Sequence, residues 1–304
     1  MIKSFQYGGQ AVIEGVMMRG PDSVAVAVRR PQGDVAVEHQ VSVPVTEKYP
    51  LLKQPILRGV VALFDAMVLG IKMLTHSANI AMEEEEGEEL SFWEIVLTIA
   101  AAVGLAVLLF VILPTAAVHF AGDYLNPFWQ NILEGVLRIL VFLAYVLVIS
   151  VIKDIQRVFQ YHGAEHKVIH AFEAGEDLSD TGKIQAFSTL HPRCGTAFLL
   201  IVMVLTIFFF SFLGSPGLLW RIASRIMLLP IIAGAAYELI KLSSRHDEKV
   251  WVRALIAPGL WLQKLTTREP DDSQVEVAVM ALKAVLPQEQ RQEAEFVEAL
   301  AEIT

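Results

Sequence analysis

Four long apolar stretches in the middle of the chain constrain its fold most strongly. A helix of about 20 apolar residues crosses the hydrocarbon core of a bilayer. The chain is 54% hydrophobic and only 19% charged, which is unusual for a soluble protein of this length. The sequence therefore predicts a mainly α-helical, polytopic membrane protein with about four transmembrane helices. Their expected ranges are 93–113, 132–152, 196–213 and 218–239.

The distribution of lysine and arginine predicts how these helices are oriented. The connections 114–131 and 214–217 contain neither residue, whereas the 153–195 connection contains five. Eight more precede residue 93, and another eight follow residue 240. Because cytosolic loops are enriched in lysine and arginine, we expect both termini and the 153–195 connection to be cytosolic.

The N-terminal part of the chain has two distinct patterns. In the segment 1–50, valine and alanine alternate with other residues on either side of the turn sequence "PQG". This alternation predicts a small β-hairpin in a cytosolic, β-rich segment. The segment 51–92 is apolar at helical spacing but carries Arg58 and Asp65, and it ends in an acidic run at 83–89. We expect an interfacial helix followed by a solvated acidic linker.

The remaining organisation is a membrane domain at 93–240 and a cytosolic tail at 241–304. Within the tail, the tryptophans and apolar residues of 250–265 indicate an interfacial helix, which we expect to be broken at Pro258 and Gly259. The pattern at 275–287 predicts a soluble C-terminal helix.

Four charged residues lie toward the outer ends of their predicted spans, namely Glu134, Arg138, Arg221 and Arg225. Ionisable groups there are costly unless they are paired. Glu134 and Arg138 are four residues apart on one helix, and an arginine of the fourth span can reach Glu134 across the bundle. We expect these residues to clasp the bundle.

The overall charge and the cysteine content exclude some classes of function. The net charge of −9 leaves no basic surface for the phosphates of nucleic acid. Cys194 is the one cysteine of the chain, so no disulfide forms within it.

The segment "YHGAEHKVIH" at 161–170 gathers three histidines and a glutamate. His162 and His166 share a helix face because they are four residues apart, and His170 continues the row. "HGAEH" matches the inverted zinc-protease pattern H-x-x-E-H, in which both histidines bind metal and the glutamate, here Glu165, is the general base. The alternative is an amphipathic helix whose polar face contacts the cytosol.

Two further segments offer a third ligand. In "LHPRCGTAFLL", His191 and Cys194 lie in a turn just before the third span, where the alternative is a simple cap with Arg193 at the headgroups. Glu238 ends the fourth span, and the alternative there is a local pair with Lys241.

Four blocks, "GGQAVIEGVMMRGP", "YHGAEHK", "HPRCGTAFL" and "PGLWLQKLTTREPDD", together resemble the YqhQ-like family of bacterial membrane proteins. The resemblance extends over nearly the whole chain. It implies a bacterial cytoplasmic membrane location and carries the label of a metal-dependent enzyme, which rests on the same histidines.

Two functions therefore remain open. The first is a membrane-embedded, hydrolase-like enzyme that uses a divalent metal, with zinc favoured, on a lipid-linked or membrane-peptide substrate at the cytosolic leaflet. For this enzyme we expect His162 and His166 plus His191 or Glu238 as ligands, Glu165 as the base, and His170, Cys194, Arg193 or Lys241 around them. The second is a non-catalytic helper of membrane-protein insertion or assembly, in which the histidines are structural.

Overall fold

The structure, a computed structural model, describes residues 7–42, 45–82, 91–121, 125–192, 194–214, 217–243 and 249–287. The predicted acidic linker at 83–89 and Arg193 lie outside these residues. The described chain is mainly helical, with one small β-sheet near its N-terminus. The helices are α1 (Val45–Lys48), α2 (Leu57–Ala81), α3 (Phe92–Val107), α4 (Leu113–Ala121), α5 (Pro127–Ile149), α6 (Lys153–Ala174), α7 (Thr181–Gln185), α8 (Gly195–Ser211), α9 (Leu218–Ser243), α10 (Val250–Thr266) and α11 (Asp272–Val285), with a 3-10 turn at Pro50–Lys53 and a π-helical turn at Leu108–Ile112.

The sheet is an antiparallel meander of four strands in the order β1-β2-β3-β4. The predicted hairpin is confirmed, and it corresponds to β3 and β4. The sequence did not predict the first two strands, because β2 is buried on both faces and lacks an alternation of polar and apolar residues. The strands are β1 (Gly8–Val12), β2 (Gly15–Arg19), β3 (Ser23–Arg29) and β4 (Val35–Val41).

The central strand β3 shows why the sheet packs on both sides. Its valines, such as Val26, face α2 and meet Met73 there. Its alanines, such as Ala25, face α6 and α11 and join the larger core of the protein. Successive side chains of a strand point to opposite faces, so one sequence of alternating valine and alanine serves two layers. The sheet therefore lies between α2 and the pair formed by α6 and α11.

Three helical stretches are long and apolar enough to cross a membrane, among the residues that the structure describes: Trp93–Phe120, Pro127–Ile149 and Leu218–Leu242. The helix α8 is apolar but shorter, with 17 residues. All four overlap the predicted spans. The long helices support a membrane protein, and α2 is not among them.

The charges on α2 are paired. Arg58 forms an ion pair with Glu238 of α9, and Asp65 accepts a hydrogen bond from Arg19 of β2 at 3.2 Å. These pairs hold α2 between the sheet and the apolar helices. The Glu238 carboxylate binds Arg58 through both oxygens, and Lys241, the alternative partner, adds a smaller electrostatic attraction.

The predicted break at Pro258 is wrong, because α10 runs without interruption from Val250 to Thr266. An interior proline normally removes a backbone hydrogen bond and disturbs the preceding turn. Here the next residue, Gly259, lies against α8, where an added Cβ would be 2.6 Å from the Cβ of Ala197. Close packing on α8 accompanies the continuous helix.

The expected clasp in the apolar helices is present. Glu134 is buried and forms ion pairs with Arg138 of its own helix and with Arg221 and Arg225 of α9, at 2.9, 2.9 and 3.2 Å. Four-residue spacing explains the first pair. The other two require α5 and α9 to be neighbours across the bundle.

Candidate metal-binding site

The helix α6 carries the histidine row that the sequence predicted. It ends at Gly175, which adopts the left-handed conformation with φ of 75° that commonly terminates helices. Gly163 lies within the row for a steric reason. A Cβ at this position would overlap the carbonyl oxygen of Arg268, so only glycine lets the segment after α10 lie directly against α6.

Three side chains converge on one point, namely His162, His166 and Cys194. Their potential ligand atoms all lie within 4.8 Å of one another. The two imidazole rings are 4.4 Å apart between centroids, and the Nε2 of His162 lies 3.2 Å from the Sγ of Cys194. The expected convergence of His162 and His166 is therefore present, with Cys194 as the third member.

Backbone carbonyls orient both imidazoles. The Nδ1 of His162 lies 2.8 Å from the carbonyl oxygen of Thr266, and the Nδ1 of His166 lies 2.5 Å from that of Thr189. A carbonyl oxygen only accepts, so each Nδ1 carries a proton, and in the neutral ring the Nε2 then has a lone pair. This is the tautomer in which a histidine ligand binds a metal through Nε2.

Cys194 is half-buried and is the N-cap residue of α8. Its backbone N–H donates to the carbonyl of His191 at 3.3 Å, which closes the turn that the sequence predicted. The Sγ also lies 3.3 Å from the hydroxyl of Thr196. The turn therefore aims the thiol back toward α6 while the chain continues into an apolar helix.

His191 and His170 extend the cluster. The His191 ring lies 5.6 Å from that of His166 and 4.5 Å from that of His170, between centroids. Burial, together with the two neighbouring histidines, lowers the pKa of His191 to about 3 and keeps it neutral. The Nε2 of His170 lies 3.0 Å from the carbonyl oxygen of Leu190. Both rings thus line the site, outside the three-residue group.

Glu165 faces the N-terminal sheet. Its Oε1 accepts a hydrogen bond of 2.9 Å from the backbone N–H of Gly9 in β1. Burial raises the pKa of the carboxyl, while His162 and the Gly9 N–H act in the opposite direction. Glu165 therefore lies next to His166 in sequence but is held by a different part of the fold.

The structure does not bring the remaining candidates to this point. Glu238 is bound by Arg58, and the ammonium group of Lys241 lies 6.0 Å from the ring centroid of Tyr237. The third ligand that the geometry favours is thus Cys194, rather than His191 or Glu238.

Sequence reasoning missed the groups that orient the cluster. The amide of Gln263 in α10 makes two hydrogen bonds with the backbone of His191, at 2.8 and 2.9 Å. Gln263 is buried, and it is a polar residue among the apolar residues of α10. A glutamine in such a segment usually has a hydrogen-bond partner, so the sequence did contain a signal that could have pointed to it. The sequence contained no signal for the carbonyls of Thr189 and Thr266, because every residue has a backbone carbonyl.

The donor set fits a divalent transition metal. Imidazole nitrogen and thiolate sulfur are preferred ligands of zinc, and catalytic zinc sites use three protein ligands with one open position. The existing hydrogen bonds supply the orientation that metal ligands require on their second ring nitrogen. His162, His166 and Cys194 would hold the ion.

Fold and site together define a class: a mainly helical protein with candidate membrane-spanning helices and a partly buried cluster of histidine and cysteine beside them. The chain belongs to the DUF1385 family, described as a protein of unknown function, whose profile matches residues 54–288. It is 32% identical over 301 residues to the uncharacterized protein YqhQ of Bacillus subtilis (strain 168), with 92% of each chain covered. No solved structure matches it. These descriptions assign no activity, so they do not support the label of a metal-dependent enzyme.

Proposed function

We propose that this protein is a membrane-embedded, metal-dependent enzyme of the hydrolase type. The observation that carries the proposal is the convergence of His162, His166 and Cys194, from two segments distant in sequence, on one point within 4.8 Å. Zinc is the favoured metal because it binds imidazole and thiolate in tetrahedral sites. When bound, it would supply a Lewis acid that lowers the pKa of water at the site.

The protein's own groups have separate tasks in this proposal. The carbonyls of Thr266 and Thr189 hold the two imidazoles in the required tautomer. Gly9 holds the Oε1 of Glu165, so we assign proton transfer to the Oε2 of that carboxylate. The rings of His191 and His170 pack on the side of the site next to His166 and restrict the entry of bulk water.

The position of the cluster supports a membrane substrate. The helix α6 begins four residues after α5 ends, and Cys194 directly precedes α8, so the site lies where two apolar helices leave the folded domain. We infer four spans, α3 with α4, α5, α8 and α9, with both termini in the cytosol of a bacterial cell. The site then opens to the cytosolic leaflet, where a lipid-linked precursor or a membrane peptide would approach it between the interfacial helices α2 and α10.

Metal analysis of the purified full-length chain tests the proposal. We expect about one divalent ion per wild-type chain. His166→Ala removes a ligand and should lose the metal, whereas Glu165→Gln should retain it. His76→Ala is the matched control, because His76 pairs with Glu38 on the other side of the sheet. Wild-type protein that stays metal-free after incubation with zinc would overturn the proposal.

One observation favours the second candidate, a non-catalytic assembly helper with a structural cluster. His162 contacts both Thr266 of α10 and Cys194 at the start of α8, so the cluster ties three helices together. Cobalt substitution separates the two functions. A visible spectrum that shifts on addition of azide indicates the open coordination position of an enzyme, and an unchanged spectrum indicates a closed structural site.

A further inference from the structure

A second buried polar cluster lies among the apolar helices, in the half of α5 that is remote from α6. It contains one carboxylate, that of Glu134, and the guanidinium groups of Arg138, Arg221 and Arg225. All four side chains are almost completely buried, and Arg221 has no exposed surface. Three positive charges and one negative charge leave an excess of two positive charges.

Both oxygens of the Glu134 carboxylate already have donors. Its Oε1 accepts from Arg138 at 2.9 Å and from Arg225 at 3.2 Å, and also from the hydroxyl of Thr115 at 3.1 Å. Its Oε2 lies 2.9 Å from Arg221. In the part of the chain that the structure describes, no other carboxylate forms an ion pair with these arginines. Glu134 therefore neutralises only one of the three guanidinium groups.

Neutral groups support the arginines but do not neutralise them. The Asn131 amide oxygen accepts from Arg225 at 2.5 Å and from Arg221 at 3.2 Å. The Phe210 ring lies 4.8 Å from the guanidinium carbon of Arg225 and 5.4 Å from that of Arg138. A ring quadrupole attracts a cation without cancelling its charge.

Arg138 donates a hydrogen bond to a backbone carbonyl in the π-helical turn between α3 and α4. Pro114 has no N–H with which to reach the carbonyl of Phe110, four residues earlier, and this carbonyl lies in the π-helical turn. The Nε of Arg138 donates to it at 2.7 Å. π-helical turns often accompany functional sites. Arg138 is thereby fixed in place with its charge directed at Glu134.

Arg221 is incompletely satisfied. Its Nη1 donates to Gln130 at 3.3 Å and its Nη2 to Asn131 at 3.2 Å, but its Nε is buried without an acceptor among the described residues. Buried donors nearly always have a partner, and an unpaired buried charge is costly in an apolar region. Both the missing acceptor and the excess charge indicate a missing anion.

We propose that this cluster is a binding site for a phosphate-type oxyanion, separate from the metal site. The planar fork of arginine matches the paired oxygens of phosphate better than it matches a halide, and the Nε of Arg221 remains as a donor for such an oxygen. Arg221 lies in the first turn of α9 and Glu134 in the first half of α5, toward the opposite end of the spans from the histidines. The phosphate comes either from a lipid headgroup or from solution.

Thermal unfolding of the purified full-length chain in neutral detergent tests both sources. One arm titrates inorganic phosphate against chloride at equal ionic strength. The other compares phosphatidylglycerol with diacylglycerol of the same acyl chains. A ligand that binds only the folded state raises the unfolding midpoint with its concentration. A rise with phosphate or with phosphatidylglycerol supports the site, and the arm that responds identifies the source.

Variants locate the response. Arg221→Gln should weaken the apparent affinity at least about tenfold, the loss expected for one charge-assisted hydrogen bond. Arg157→Gln is the matched control, because Arg157 pairs with Glu14 in the folded domain and should leave the response unchanged. Gln130→Glu places a carboxylate next to Arg221 and should raise the midpoint without ligand while reducing the response to phosphate.

Three results would overturn the proposal. These are no response in either arm, an equal response in Arg221→Gln and wild type, and stabilisation by chloride equal to that by phosphate. If Arg221→Gln does not fold, Gln130→Glu carries the test alone. An undiminished response to phosphate in that variant then counts against the site.

Discussion

The Nε2 of His162 lies 3.2 Å from the Sγ of Cys194, although the two residues are 32 positions apart in the chain. His162 belongs to α6, whereas Cys194 caps the start of the apolar helix α8. Because the Nδ1 of His162 carries a proton toward Thr266, its Nε2 presents a lone pair to the sulfur. The pair is thus ready either to share the thiol proton or to bind one metal ion together.

Thiol labelling provides a direct test of this pair, since Cys194 is the single cysteine of the chain. We expect bound zinc to slow maleimide labelling of Cys194, because a coordinated thiolate is not a free nucleophile. Removal of zinc with a chelator should restore the labelling, and His162→Ala should prevent protection at any moderate zinc concentration. Equal labelling rates with and without zinc would exclude Cys194 from the site.

The proposed topology predicts which surface residues are accessible from outside the cell. Asn126 precedes α5 and Ser179 lies between α6 and α7, and both side chains are exposed. In a Cys194→Ser background, a cysteine in place of Asn126 should react with an impermeant maleimide in intact cells. A cysteine in place of Ser179 should react only after lysis. The reverse pattern would contradict the orientation inferred from lysine and arginine.

Removal of the buried carboxylate should destabilise the apolar bundle. Glu134→Gln leaves three buried guanidinium groups without a negative partner, and breaking a buried ion pair from one side costs about 3–5 kcal/mol. The measurement is thermal unfolding in detergent. Glu276→Gln, which affects an exposed pair with Arg29, should change stability by about 1 kcal/mol or less. Similar small effects for both variants would show that the arginines are neutralised in another way.

Gly163→Ala separates helix propensity from packing. Propensity alone predicts that alanine stabilises α6 by about 1 kcal/mol. The structure predicts the opposite sign, because the new Cβ overlaps the carbonyl of Arg268, and overpacking of this kind costs about 1–3 kcal/mol. Gly104→Ala in α3 is the control, since an added Cβ there meets no atom within 4 Å. A more stable Gly163→Ala protein would show that the segment after α10 does not lie against α6.

Local patterns were sufficient for the elements with a clear period. The valine and alanine alternation of 23–30 predicted the hairpin, and four-residue spacing placed His162 and His166 on one helix face. The apolar stretches predicted the regions of the long helices, although the structure begins the second at Pro127 and ends it at Ile149. Such periods reflect burial of one or both faces of a single element, so the sequence contains them directly.

Contacts between elements were decided only by the tertiary structure. The sequence left the Glu238 carboxylate a metal ion or the nearby Lys241 as partners, yet it accepts hydrogen bonds from Arg58, which is 180 positions away. Pro258 indicated a break, but packing against Ala197 accompanies a continuous α10. Both His191 and Cys194 lie against α6, and the choice of Cys194 depends on a turn that brings its thiol within 4.8 Å of the ligand atoms of both His162 and His166.

The sequence by itself determined which residues offer ligand chemistry, which segments are apolar and which charges require partners. The tertiary structure alone decided which ligand atoms meet and that the Nε of Arg221 is buried without an acceptor among the described residues. The physical reason is that burial and periodicity are properties of one segment. Convergence of side chains depends instead on the relative placement of several helices, and small local features such as Gly163 and the turn before α8 set that placement.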